Sequence, residues 1–322
     1  MISAVYPQTI LALFSDSSDE AAFAPLMEGF SGVISIKNPA EQKLFVTEIT
    51  SLCIEPLLVI ISSRLYPEAR PETVSAVRNI FPQAEILLVT LDSDPVPPLE
   101  QLAVDRVRHL LVSPADENRE GISSLQEAII KLLMKSPWKL LDCVKPGTRV
   151  HEIRLNSSEE KETLILMLEN VITGDSPEME FLRQRAALLA DEMVENALYG
   201  APRDAEGRKL YSKGQFRVMK ENEIIHFRFA FDGETLAMEI TDGWGTLVPE
   251  MVIDYLARNQ DHMAGESGDT GGRGLFIIWK FLDHLHVNIR PGMQTVLGGQ
   301  IKADVSLDCE APKGFTISTN YL

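Results

Sequence analysis

Two hydrophobic periods share this chain. Between residues 9 and 135, five short apolar runs (9–14, 32–36, 56–62, 85–90 and 108–112) alternate with stretches whose apolar positions recur every three or four residues (19–29, 40–52, 71–80, 97–104 and 121–135). Continuous apolar runs of this length suit strands buried on both faces, and the amphipathic stretches suit helices that cover a parallel sheet. Five such units predict an α/β domain of flavodoxin-like, doubly wound type. No glycine-rich loop follows any of these strands, which excludes a dinucleotide or P-loop site in this half.

Beyond Val150 the pattern changes. Residues 150–155 read as a short strand, 224–231 and 235–241 alternate apolar with polar positions, and Asp232-Gly233 marks a hairpin turn between the last two. Helical spacing returns at 158–172, 181–200 and 275–285. Residues 286–290 and 295–303 predict a closing hairpin, and 315–318 an edge strand. Ser136-Pro137 and Lys145-Pro146-Gly147 break the pattern between the halves, so the domains are expected at 1–140 and 148–322.

The helix at 181–200, FLRQRAALLADEMVENALYG, carries the chemistry. Leu182, Ala186, Leu189, Met193 and Ala197 form its buried stripe. Glu192 and Asn196 lie beside that stripe one turn apart and point the same way. A carboxylate there can act as a base, and an amide oxygen can hold a metal-bound phosphate. Two later stretches supply what such a pair needs. Residues 235–241 run into Asp242-Gly243-Trp244-Gly245, where a carboxylate at a strand end can accept from an exocyclic amine. Gly271, Gly272, Arg273 and Gly274 then lead into the helix at 275–285. Glycines let phosphates approach the backbone, the helix start offers N–H groups and a positive dipole end, and Arg273 adds charge.

Charge narrows the partners. The 322 residues are 45% apolar and include 47 acidic against 30 basic side chains, a net charge of −17. Such a chain repels DNA, RNA and anionic membrane surfaces, so neither a nucleic-acid nor a membrane partner is expected. Cys53, Cys143 and Cys309 show no C-x-x-C or metal-ligand spacing and read as reduced thiols of a cytoplasmic protein. No apolar run approaches the roughly 18 residues of a membrane-spanning helix, and no basic region followed by an apolar core opens the chain as in a secretory leader. The histidines lack ligand spacing with acidic residues and read as structural or surface groups.

Taken in order, a helix with E-x-x-x-N, a strand ending in Asp-Gly and a glycine-rich loop entering a helix form one constellation. Over residues 150–301 it resembles the ATPase superfamily of gyrase, heat-shock chaperone, histidine kinase and MutL, and within it the anti-sigma-factor serine kinases. The resemblance implies, for this second half, an α/β sandwich of helices on a mostly antiparallel sheet, with ATP and Mg²⁺ as cofactors. It implies Glu192 as general base, Asn196 as Mg²⁺ ligand, Asp242 as the adenine contact, Gly243, Trp244 and Gly245 beside the base, and Gly271 to Gly274 over the phosphates. It further implies a bacterial signalling protein, a serine/threonine kinase acting on an anti-anti-sigma-like or sigma-like protein partner, with room for a homodimer. Three positions depart from the family's pattern: Trp244 and Thr246 stand where the first box usually has glycines, and Thr270 stands where a basic residue is frequent. The alternative reading is a nucleotide sensor or partner-sequestering regulator without catalysis.

The first half resembles in layout the receiver domain of two-component signalling. Ser15-Asp16 follows its first predicted strand, Ser62-Ser63 ends the third, Thr90 ends the fourth and Ser113-Pro114 follows the fifth. The phosphoacceptor carboxylate and the lysine of that family are missing, which implies a pseudo-receiver that signals by contact. A histidine kinase acting on itself would need an exposed His on a dimerising helical hairpin. His109, within a predicted strand, and His151, at a strand start, do not supply one.

Overall fold

A computed structural model describes residues 9–37, 47, 48, 50, 51, 54–68, 70–91, 96–113, 119–136, 138–258, 272–303 and 313–319. The chain divides into two units, Met1–Pro137 and Trp138–Leu322, and both are α/β.

In the first unit β1 (Ile10–Phe14), β2 (Val33–Lys37), β3 (Leu58–Ser62), β4 (Glu85–Thr90) and β5 (His109–Val112) pair in parallel, in the order β2-β1-β3-β4-β5. β1 and β3 are buried along their whole length, as their unbroken apolar runs require. The helices are α1 (Ser17–Met27), α2 (Arg70–Ile80), α3 (Leu99–Val104) and α4 (Arg119–Leu133), with a single helical turn at Leu65–Glu68. Leu125, Ile129 and Leu133 of α4 join Phe14, Phe23 and Leu26 in one core. The helix predicted at 40–52 falls largely outside the described residues.

In the second unit β6 (Val150–Leu155), β7 (Ile225–Phe231), β8 (Thr235–Asp242), β9 (His284–Arg290), β10 (Gln294–Lys302) and β11 (Gly314–Thr319) take the order β11-β9-β10-β8-β7-β6. All neighbours are antiparallel except β11, which runs parallel to β9. Among the described residues four α-helices accompany them: α5 (Glu160–Val171), α6 (Pro177–Glu195), α7 (Pro249–Arg258) and α8 (Arg273–Phe281). α6 packs against α5 and α8, and α8 against α7.

Three expectations change here. The helix at 181–200 begins earlier, at Pro177, and its α-helical part stops at Glu195; Asn196–Gly200 is a π turn. The helix at 275–285 stops at Phe281, because His284 and Leu285 belong to β9, where Leu285 pairs with Gly299 on one side and Phe315 on the other. Helix α7 was not expected, although its buried Val252, Ile253, Leu256 and Ala257 follow helical spacing.

Candidate functional site

Helix α6 forms the wall of the site. Ser176 caps it, its Oγ accepting the Met179 N–H at 3.4 Å, and Pro177 stands in the first turn, where no N–H is needed. Leu182, Ala186, Leu189 and Met193 are buried as their spacing predicts. Past Glu195 the helix widens, and the Ala201 N–H donates to the Asn196 carbonyl at 2.8 Å. A regular turn would require Pro202 to donate to the Leu198 carbonyl, and proline has no N–H. That carbonyl is met instead by the buried Arg217 guanidinium, which also pairs with buried Glu223 at 3.1 Å and lies 3.6 Å over the Tyr211 ring. The Tyr199 hydroxyl donates to the Gln215 carbonyl at 2.7 Å. Residues 201–220 are thus strapped onto the widened turn.

The start of α8 meets this wall. A Cβ at Gly274 would lie 2.6 Å from Glu192 Oε2 and 3.0 and 3.1 Å from Asn196 Nδ2 and Oδ1. Any side chain there would fill the space in front of both polar groups, and glycine keeps it open. Gly272 caps α8 at φ +102, and a Cβ on it would run into the Tyr255 ring. Arg273 is exposed at the first turn. Gly271 lies outside the described residues, with the rest of the loop back to residue 259.

Glu192 is half-buried. Burial pushes its carboxyl above the usual range; Asp191 and Glu195 reinforce the shift, while Lys213 and Arg273 oppose it. Asn196 Nδ2 is buried and has no hydrogen-bond partner among the described residues. Lys161 of α5 bridges Asp191 at 2.7 Å and Glu195 at 2.6 Å. Burial pulls the Lys161 ammonium down, but those hydrogen bonds and charges outweigh it and its pKa is raised. It therefore stays a cation beside the acids that flank Glu192. Lys213, reaching from the strap, lies 3.7 Å from Glu195 Oε2.

The end of β8 supplies the second part. Asp242 is buried, and the Trp244 N–H donates to its Oδ1 at 2.9 Å. Burial pushes its carboxyl up to about 6, against the Trp244 and Gly245 N–H groups that lower it. Thr295 faces Asp242 across the β8–β10 ladder, is 2% exposed, and its Oγ1 has no partner among the described residues. Directly opposed residues share a face of the sheet, so a buried carboxyl and a buried unpaired hydroxyl stand side by side. The Thr246 hydroxyl donates to the Ala201 carbonyl at 2.7 Å, tying the loop after β8 to the end of the π turn.

Gly243 and Gly245 answer to the protein's own backbone. A Cβ at Gly243 would lie 2.5 Å from the Asn222 carbonyl oxygen, and one at Gly245, φ +56, would collide with the Arg290 carbonyl and lie 2.6 Å from the Met293 nitrogen. Trp244 between them is half-buried. The described residues hold no cluster of three or more His, Cys, Asp or Glu side chains arranged for a metal ion. The Asn196 Oδ1 could serve as a single protein ligand to a cation that takes its other ligands elsewhere, as Mg²⁺ does. Neither a known protein family nor a curated protein matches this chain.

The structure therefore brings Glu192, Asn196 and Gly274 together and ties the loop after Asp242 to the same helix end. Sequence reasoning missed Thr295, Lys161 and Lys213. A threonine in a strand carries no signal, and only the register opposite Asp242 singles it out. No helix among the described residues is long and apolar enough to cross a membrane. Of the histidines, His109 is buried 3.4 Å from Glu85, His226 lies 3.2 Å from Glu152, and His151 stacks on Phe229.

The first unit has a polar cluster of its own. Asp19, fully buried, accepts the Ser15 N–H at 2.8 Å and the Ser15 hydroxyl at 3.1 Å on Oδ2, and the Ser62 hydroxyl at 2.8 Å on Oδ1. Asp16 is occupied in capping α1, its Oδ1 accepting the N–H groups of Ser18 at 2.7 Å and Asp19 at 2.9 Å.

Proposed function

We propose that the second unit binds ATP in the manner of the histidine-kinase-like ATPases and acts as a serine/threonine protein kinase of the anti-sigma type. The observation that carries this reading is Gly274, a glycine at a helix start that leaves open the space before a carboxylate and an amide one turn apart. The first N–H groups of α8 are suited to a polyphosphate. Asn196, whose Oδ1 would lie 3.1 Å from a Cβ at Gly274 and so faces the open space, would hold Mg²⁺ by that oxygen; the ion, when bound, offsets phosphate charge. Glu192, its pKa raised, would take the proton from a partner's serine or threonine hydroxyl. Lys213 and Arg273 supply positive charge on the same side. Asp242 would accept from the exocyclic amine of adenine, and the Thr295 hydroxyl would give the base a second polar contact.

The first unit, in this reading, is a receiver-like domain that has lost its phosphoacceptor. Its strand order is that of flavodoxin-like folds, and its buried acid is already fully occupied by Ser15 and Ser62. One observation favours a second reading, a nucleotide sensor or partner-sequestering regulator without transfer. The glycines of the Asp242 loop accommodate Asn222 and Arg290, so they do not enlarge a nucleotide pocket.

Glu192→Gln separates the two. Kinase action predicts ATP affinity within about twofold of the native protein and turnover reduced by about 100-fold or more, measured as labelled-phosphate release and transfer. Turnover that survives the substitution removes Glu192 as base. Binding without any turnover in the native protein supports the sensor.

A further inference from the structure

The strap over the π turn carries a surface that the nucleotide reading leaves unexplained. Within residues 203–220 six side chains are basic (Arg203, Arg208, Lys209, Lys213, Arg217 and Lys220) and two are acidic, in a chain whose net charge is −17. Arg217 is taken up by Glu223, and Arg208 by Asp204 and Glu206. Lys209, Lys213 and Lys220 are exposed, although Lys213 also lies 3.7 Å from Glu195 and Lys220 4.0 Å from Glu223. From Phe216 to Lys220 burial alternates along a stretch bridged to Ser157: Arg217 and Met219 are buried, while Phe216, Val218 and Lys220 project outward. Phe216 is 60% exposed and Val218 68%. The strip is held in place, since the Met219 N–H donates to Asn156 O at 2.8 Å and the Ser158 N–H to Arg217 O at 2.9 Å.

A fixed row of apolar groups rimmed by cations has the anatomy of a protein interface, apolar at its centre and charged at its edge. We propose that this strap is a docking surface for an acidic polypeptide segment bearing leucine-like side chains. Phe216 and Val218 receive the apolar groups, and Lys209, Lys213 and Lys220 receive the carboxylates. A nucleic acid would use the cations but leave Val218 without a role, and the acidic remainder of the chain opposes a long polyanion. The proposal goes beyond nucleotide binding and does not depend on it. Because Lys213 also reaches Glu195, a docked segment would lie beside Glu192.

The test is fluorescence anisotropy of the full chain, without nucleotide, using a short fluorescein-labelled peptide of Glu, Leu and Ser. Micromolar binding is expected, weakened about tenfold or more by the double variant Phe216→Ser/Val218→Ser and also by Lys209→Glu/Lys220→Glu. The Phe216→Ser/Val218→Ser variant should melt as the native protein does, since both side chains are exposed. Replacing Leu by Ser in the peptide should abolish binding. No binding to the native chain, binding that survives both variants, or displacement of the peptide by a single-stranded oligonucleotide would overturn the proposal.

Discussion

Each unit gathers a carboxylate and hydroxyl groups at strand ends, and the two use them in opposite ways. In the first, both oxygens of Asp19 are claimed by Ser15 and Ser62, and the group is closed off from water. In the second, the Asn196 Nδ2 and the Thr295 hydroxyl have no partner among the described residues, and Glu192 and Asp242 have raised pKa values. Ser63 and Thr90 of the first unit also bury hydroxyls without a partner among the described residues. A saturated polar cluster stabilises its unit, whereas an unsaturated one is costly to fold and useful only if something fills it. The difference separates a structural acid from a candidate site where residue type alone does not.

The largest effect is expected from removing the saturated acid. Asp19→Ala strands the Ser62 hydroxyl and the Ser15 N–H and should destabilise the first unit by about 3–4 kcal/mol. All three tryptophans, Trp138, Trp244 and Trp279, lie in the second unit. Urea unfolding followed by far-UV circular dichroism should therefore shift while tryptophan fluorescence does not. Equal shifts of both signals would break the contrast.

Asp242→Asn should act in the other direction. Burial pushes the Asp242 carboxyl up to about 6 in the folded chain, from the 3.8 of an exposed aspartate. The folded state thus holds the extra proton between these values. The stability linked to that proton is fully present below the lower value and is lost as pH rises through the higher one. Asn cannot ionise, so the variant should match the native protein near pH ~4 and exceed it by up to about 3 kcal/mol near pH ~8. A difference that does not change with pH would mean that Asp242 is not destabilised by burial.

The smallest effect on stability belongs to Thr295→Val. Deleting an unpaired buried hydroxyl should leave stability unchanged or raise it by about 0.5 kcal/mol, while ATP affinity falls about tenfold. A clear loss of stability would show that the hydroxyl is already satisfied by the fold.

These contrasts explain what could be read beforehand. The parallel strands were legible because continuous apolar runs have few other uses, and β4 occupies the predicted residues 85–90. Glu192 and Asn196 were legible because their spacing on one helix fixes their common direction. The π turn was not, since it depends on Arg217 reaching the carbonyl that Pro202 cannot serve. Nor was the end of α8, where pairing of Leu285 on both sides overrides local helix preference. Helix α7 was readable in principle, from Pro249 at its start and the spacing of Val252, Ile253 and Leu256.

Calorimetric titration with Mg²⁺ and a non-hydrolysable ATP analogue, comparing the native chain with Asn196→Ala, tests the central claim most directly. Micromolar binding that falls by about 100-fold or more in the variant is the expected result, because Asn196 stands in the space that Gly274 keeps open. Equal affinity in the two proteins, or no binding to the native chain, would contradict the nucleotide site.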